Sequence, residues 1–170
     1  MVRPTLDDIP NLPLPDGLEV RPVTPDQYRA IWDADIEAFR DAWGFGEPEE
    51  KDYLYWLGNK TTFQPELWQV AWDVATNEIA GQVQTFIDHA ENERFGRRRG
   101  YTENISVRRP YRRRGLARAL IVRSLRAQRD AGMTASALGV DSGSPTGAPR
   151  VYEDCGFRVT ETSTLYRKAL

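Results

Sequence analysis

The 170-residue chain has one cysteine, one histidine and two methionines. A lone thiol, Cys155, excludes an intramolecular disulfide and favours a reducing, cytoplasmic setting. With His89 as the sole imidazole, no His/Cys zinc cage can be assembled, and no metal site is expected. Apolar runs are only a few residues long, against the roughly 20 that span a bilayer, so no membrane partner is expected. Residues 1–15 hold Asp7, Asp8 and four prolines but no apolar centre, so no secretion signal is read there. Lysine is scarce, 3 against 20 arginines. Arginine suits bidentate phosphate binding, although GC-rich coding gives the same ratio. What remains is a composition of 40% hydrophobic and 28% charged residues, as in globular proteins, on a length that suits one domain.

The net charge of -2 and the acidic pI near 5.5 argue against a general nucleic-acid binder, and no nucleic-acid partner is expected. The charges are nevertheless segregated. Residues 94–129 hold 13 arginines and one acid, Glu103. Residues 1–60 hold 13 acids and 6 bases, with eight of the acids between Asp33 and Asp52. One region would then favour an anion and the other a cationic amine, unless the acids simply line solvated helix faces.

Periodicity gives the element order. Residues 1–16 read as a proline-rich extended lead-in, with a single domain over 17–170. A short strand begins at Leu18. Thr24, Pro25 and Asp26 open a helix whose apolar positions include Ile31, Trp32, Ile36 and Phe39. A second helix is predicted over 48–57. Strands over 67–73 and 79–87 form a hairpin, 91–100 is a polar loop, and 101–107 is a strand. Its alternation puts Tyr101, Glu103, Ile105 and Val107 on one face and Thr102, Asn104 and Ser106 on the other. A long helix is predicted over 110–131, then a strand over 134–140, a short helix over 148–154 closed by Gly156, and one or two closing strands over 157–166.

The chemistry concentrates where the strand ending at Val107 feeds the long helix. A helix N-terminus offers unpaired N–H groups and a partial positive charge, and Gly115 allows a pyrophosphate to approach them closely. On spacing alone, a basic, solvated helix start accounts for Arg112, Arg113 and Arg114 equally well.

Residues 107–120 resemble the acetyl-CoA motif of the GCN5-related N-acetyltransferase (GNAT) superfamily: a strand ending in Val107, then Arg112-Arg113-Arg114-Gly115-Leu116-Ala117 opening a helix. Residues 138–157 are similar to the superfamily's second hallmark, in which a strand is followed by a helix bearing Tyr152 and then Gly156-Phe157. Within it, the segment 37–45, Glu-Ala-Phe-Arg-Asp-Ala-Trp-Gly-Phe, and the Val140-Asp141 loop look like mycothiol-synthase-type enzymes, many of them tandem two-domain proteins. Residues 1–4 resemble the closing strand of a preceding domain. The resemblance implies an α/β (α+β) fold, a mixed, mostly antiparallel twisted sheet of six to seven strands flanked by about four helices. It also implies acetyl-CoA as cosubstrate, CoA as product, and a small-molecule or peptide amine as acceptor.

Carried over by position, the resemblance has the backbone of Ile105, Ser106 and Val107 hold the pantetheine arm and the acetyl carbonyl. The N–H groups of Arg113, Arg114, Gly115, Leu116 and Ala117 would cradle the pyrophosphate, with Arg112 at the first motif position. Ser144 stands where relatives often contact the cofactor through Asn, and its shorter side chain is a departure. Tyr152 matches the tyrosine that protonates the leaving thiolate; a phenol of pKa about 10 carries its proton at neutral pH, and passing it to a thiolate of about 8.5 is uphill by only about 2 kcal/mol. The alternative is a helix tyrosine packed on the sheet. Glu103 stands where some relatives carry a base. One is needed, since an alkyl amine of pKa about 10.4 is neutral in only about one molecule in 2,500 at pH 7. The alternative is a salt bridge to Arg99, Arg108 or another arginine.

Elsewhere the plainer readings lead: His89 as a surface histidine, Cys155 as packing, Arg97, Arg98 and Arg99 as a solvated loop rather than a contact to the adenosine phosphate. Trp43 and Phe45 are candidates for an acceptor pocket. The expectation is direct acetyl transfer to an amine by a monomer or homodimer. The rivals are a non-catalytic acyl-CoA-binding half of a tandem protein and an arginine-rich nucleic-acid binder.

Overall fold

Residues 1–42, 44–141 and 147–164 are described by the computed structural model. Six strands form one sheet: β1 (Val2–Arg3), β2 (Leu18–Arg21), β3 (Gln69–Asp73), β4 (Ile79–Phe86), β5 (Arg99–Val107) and β6 (Ala135–Ala137), in the order β1-β6-β5-β4-β3-β2. All neighbours are antiparallel except β5 and β6. That parallel pair needs a crossover, which the helix α4 (Leu116–Asp130) supplies. The β3–β4 hairpin turns because the Asp73 carboxylate accepts the N–H groups of Ala75 at 2.8 Å and Thr76 at 3.2 Å, while Asn77 takes a left-handed φ of 57°.

Helices cover both faces. On one, α4 presents Leu116 and Leu120, and Ile121 and Leu125, each pair four apart, to Val83, Ile87 and Phe157. The helix α5 (Ala148–Asp154) adds Tyr152 to the same cluster. On the other, α1 (Tyr28–Phe39) buries Ile31 against Trp68, Val70, Trp72 and Ile79. A 3-10 turn, Pro25–Gln27, leads into α1, and the Thr24 N–H donates to Gln27 Oε1 at 3.1 Å. The helix α2 (Glu50–Gly58) rests through Trp56 on the aromatic rings of Tyr28, Phe63 and Trp68.

Four expectations change. The polar stretch at 91–100 is not a loop: α3 (His89–Phe95) is capped by Asp88, whose Oδ1 accepts the Glu91 N–H at 2.8 Å, and ended by left-handed Gly96. Its sequence lacks an apolar stripe, so periodicity misses it. His89 is an exposed residue at its start. The long helix begins at Leu116 rather than residue 110, because Arg109–Tyr111 form a 3-10 turn and Arg113 and Gly115 are left-handed.

The lead-in 1–16 is built into the fold: Val2–Arg3 pair with β6, and Leu6 is 1% exposed in the core. Arg3 is buried, its Nη1 donating to the Cys155 carbonyl at 2.6 Å. Of the closing strands over 157–166, the described residues contain only an isolated bridge between Arg158 and Val2; residues 165–166 lie outside them.

Candidate active site

The site starts from an irregularity in β5. Gln84 of β4 pairs with Glu103 and Gln82 pairs with Ser106, so β5 carries one residue more than its partner over this stretch. The extra residue is accommodated at Asn104, with a left-handed φ of 45°. A bulge resets the two-residue alternation, and this overturns the expected faces. Thr102 meets Ser124 and Gln128 of α4, whereas Ser106, four residues on, donates from Oγ to Asp35 of α1 at 2.7 Å. Ser106 therefore does not share a face with Thr102. Val107 and Ile105 pack on the α4 side, away from Glu103.

Strand β6 pairs with β5 only as far as Tyr101–Ala137. Past that point the two separate, and among the described residues no strand pairs with β5 on that side. A groove of about 820 Å³ opens in the split, bordered by residues 103–107, the turn at 111–118, Gly139 to Asp141, and Val151 and Tyr152 of α5.

At one end lies the turn. Arg113 and Gly115 are left-handed, with φ of 60° and 86°, and successive N–H groups converge there. Among the described residues, the backbone N–H groups from Arg113 through Arg118 have no protein acceptor. The neighbouring arginines divide. Arg112 is occupied by the protein: Nε donates to the Val107 carbonyl at 2.9 Å, Nη2 to the Ala38 carbonyl at 2.9 Å, and Nη1 to Asp41 at 2.7 Å. Arg109 also grips Asp41, and these two guanidinium groups hold the Asp41 carboxyl well below its usual range. Arg114 reaches the Asp16 carbonyl at 3.0 Å. The Arg113 side chain has no protein partner among the described residues and borders the groove.

At the other end are Tyr152 and Glu103. Tyr152 is 8% exposed and borders the groove, and its hydroxyl has no protein partner among the described residues. Burial, and then the charge of Glu103, push its pKa up to about 12. Burial also raises Glu103, opposed by the Gly139 N–H that donates to Oε1 at 3.0 Å. The expected alternative for Glu103 fails: among the described residues it has no arginine partner. Arg108 pairs instead with Glu37 at 2.9 Å and Glu78 at 3.7 Å.

The structure thus brings Glu103, Tyr152, the 105–107 backbone and the 113–117 turn to one groove. Ser144 and Trp43 lie outside the described residues. Arg97, Arg98 and Arg99 sit at the opposite end of β5, about 25 Å from Val107 at roughly 3.3 Å per residue, around a separate depression. Arg97 pairs there with Glu91 at 2.8 Å. The acids of 33–52 are largely neutralised locally, Asp33 and Glu50 by Arg29, Glu47 by Arg40 and Glu49 by Lys51. Cys155 is fully buried, with its thiol pushed up to about 11 by that burial. Sequence reading passed over Asp35, which is 6% exposed; its signal is an acid in the buried row Ile31, Asp35, Ala38.

A family model for the acetyltransferase (GNAT) family matches residues 28–157. No curated protein matches the sequence. Among solved structures, a GCN5-related N-acetyltransferase from Sphaerobacter thermophilus is 28% identical with a TM-score of 0.76. The comparison covers 94% of this chain and 47% of that one, so this chain spans about half the length of the Sphaerobacter protein. The NatC complex bound to Gag peptide and CoA follows at 23% identity and TM-score 0.65, covering 85% of this chain and 86% of that one. An aminoglycoside acetyltransferase from an uncultured soil metagenomic sample, in complex with sisomicin, has 14% identity and TM-score 0.62, covering 91% and 97%.

Proposed function

The chain belongs to the GNAT acetyltransferase family, and on that premise we propose that it is an acetyl-CoA-dependent N-acetyltransferase acting directly on a primary amine of a small molecule or peptide. The observation that carries this reading is one groove that has, among the described residues, backbone N–H groups without a protein acceptor at one end and, at the other, a tyrosine hydroxyl without a protein partner near the half-buried Glu103 carboxyl. The N–H groups of residues 113–118 suit a pyrophosphate, and the open edge of residues 103–107 suits the amides of a pantetheine arm. An N–H on the bulged strand, already aimed, stabilises charge growing on the acetyl oxygen.

Glu103 takes the proton that the amine loses, directly or through water. The amine nitrogen forms its bond to the acetyl carbon as the carbon–sulfur bond breaks, and Tyr152 O–H donates its proton to the departing thiolate. With a phenol near 12 the hydroxyl stays protonated through neutral pH, so the proton is in place as the carbon–sulfur bond breaks, and the tyrosinate, a strong base, regains its proton from water. The NatC and aminoglycoside-enzyme likenesses support CoA and amine classes without selecting between peptide and small-molecule acceptors. The half-length match to the Sphaerobacter protein favours one further reading, a domain that works in a tandem pair and binds acyl-CoA without turning it over.

Thermal shift with acetyl-CoA, against CoA and ATP, separates these readings. Filling a site to about 100 times its Kd adds roughly 2.7 kcal/mol, or about 5–11 °C at this size. A shift of that order followed by amine-dependent thiol release is the expected result. Binding with no release across an amine panel supports the non-catalytic domain. No shift at millimolar acetyl-CoA overturns both.

A further inference from the structure

We propose that Asp35 is a positioning residue for acyl transfer, fixing through Ser106 the bulged stretch of β5 that borders the groove; the inference rests on the acyl-CoA reading above. Asp35 lies on α1, on the face of the sheet opposite α4, and does not border the groove. Its Oδ1 accepts from Ser106 Oγ at 2.7 Å, with both residues buried, and the Gln82 amide lies beside the carboxyl. Gln82 is itself anchored, its Nε2 donating to the Ile31 carbonyl at 3.0 Å.

The other side of the bulge is held the same way. Asn104 Nδ2 donates to Gln84 Oε1 at 2.9 Å, and that oxygen also accepts from Trp56 Nε1 at 2.9 Å. Gln82 and Gln84 are the two β4 residues that flank the register shift. The extra residue of β5 is therefore pinned on both sides by polar side chains from β4, α1 and α2.

Packing alone does not call for this arrangement. A carboxyl in the row of Ile31 and Ala38, with no arginine or lysine partner among the described residues, is more costly there than an apolar residue of similar volume. What the acid adds is a directional hold on Ser106. A bulge is otherwise a soft point at which a strand slides or flattens, and a displacement of about 1 Å at a reacting centre costs on the order of 100-fold in rate.

The test compares wild type with Asp35→Ala, Asp35→Asn, Ser106→Ala and the double Ala variant. Amide exchange is read across residues 103–108 and across α4, and thiol release from acetyl-CoA is read with an accepted amine. Loss of the hold accelerates exchange at 103–108 about tenfold or more with α4 unchanged, and lowers kcat about 10- to 100-fold with a smaller change in KM for acetyl-CoA. Asp35→Asn, which keeps an oxygen acceptor, stays within about threefold of wild type. The double variant is no worse than Asp35→Ala, since that change already breaks the contact to Ser106. Unchanged local exchange in the Ala variants overturns the proposal, as does a fall in Tm with kcat intact. A wild-type protein that binds no acetyl-CoA refutes the acyl-transfer reading instead, and the exchange arm still decides whether Asp35 fixes the bulge.

Discussion

Tyr152 and Glu103 reach the same groove from α5 and from β5, and burial acts on both. For the tyrosine it keeps the proton on; for the glutamate it raises the pH at which the carboxylate forms. Replacing Tyr152 with Phe removes the donor and little volume. The expected result is a fall in kcat of about 10²- to 10⁴-fold with KM for acetyl-CoA nearly unchanged, measured by steady-state thiol release. A base acts only when deprotonated, so the rate should climb with pH through a range displaced upward from the usual carboxylate value of about 4.3. Glu103→Gln should abolish that acidic limb of the profile. Both residues stood out in the sequence as candidates, Tyr152 by its spacing to Gly156-Phe157 and Glu103 as the one acid among arginines, and both border the groove. The face of Ser106 was not, since strict alternation holds only in a strand without a bulge, and one left-handed residue at 104 reverses it.

Among elements, the turn between β5 and α4 carries most of the site. Its shape depends on Gly115, whose φ of 86° disfavours any side chain even though an added Cβ would meet nothing within 4 Å. Gly115→Ala therefore costs backbone strain alone, about 1–2 kcal/mol, visible as a lower midpoint in denaturant unfolding. The same change should weaken acetyl-CoA binding as the neighbouring N–H groups rotate. The glycine and arginine spacing announced this turn, but not that the helix waits until Leu116, because proline and arginine at 110–114 are compatible with a helix start. The role of Arg112 was equally hidden: tied to Val107, Ala38 and Asp41, its guanidinium braces the turn against the end of α1. Short α3 escaped notice because a seven-residue polar helix has no hydrophobic period to detect.

Across the whole molecule, the charge asymmetry of the sequence becomes an internal contact. Acids at the end of α1 and just past it meet arginines of the β5–α4 junction, Glu37 with Arg108 and Asp41 with Arg109 and Arg112, so part of the basic block is spent on holding the protein together. A second whole-molecule property follows from Asp35, raised to about 7 by burial. Unfolded, that carboxyl titrates near 3.9, so between about pH 4 and 7 the native state binds the extra proton. Stability is then full below pH 4 as far as this group is concerned, and falls as pH rises toward 7, by an amount on the order of 4 kcal/mol. Urea unfolding from pH 5 to 7.5 should show this decline in wild type and a flatter course in Asp35→Asn.

The parting of β5 from β6 also bears on strand pairing with other molecules. Unpaired main-chain donors and acceptors invite strands from other molecules, and the stretch at 103–107 presents such an edge within a six-stranded sheet. Here the edge is recessed: α5 with Val151 and Tyr152, the start of α4, and Gly139 to Asp141 surround it. A further polypeptide strand, with side chains leaving both faces, would have to fit between these elements to pair with it. Covering of this kind is how an open strand edge is kept from pairing with the strand of another molecule.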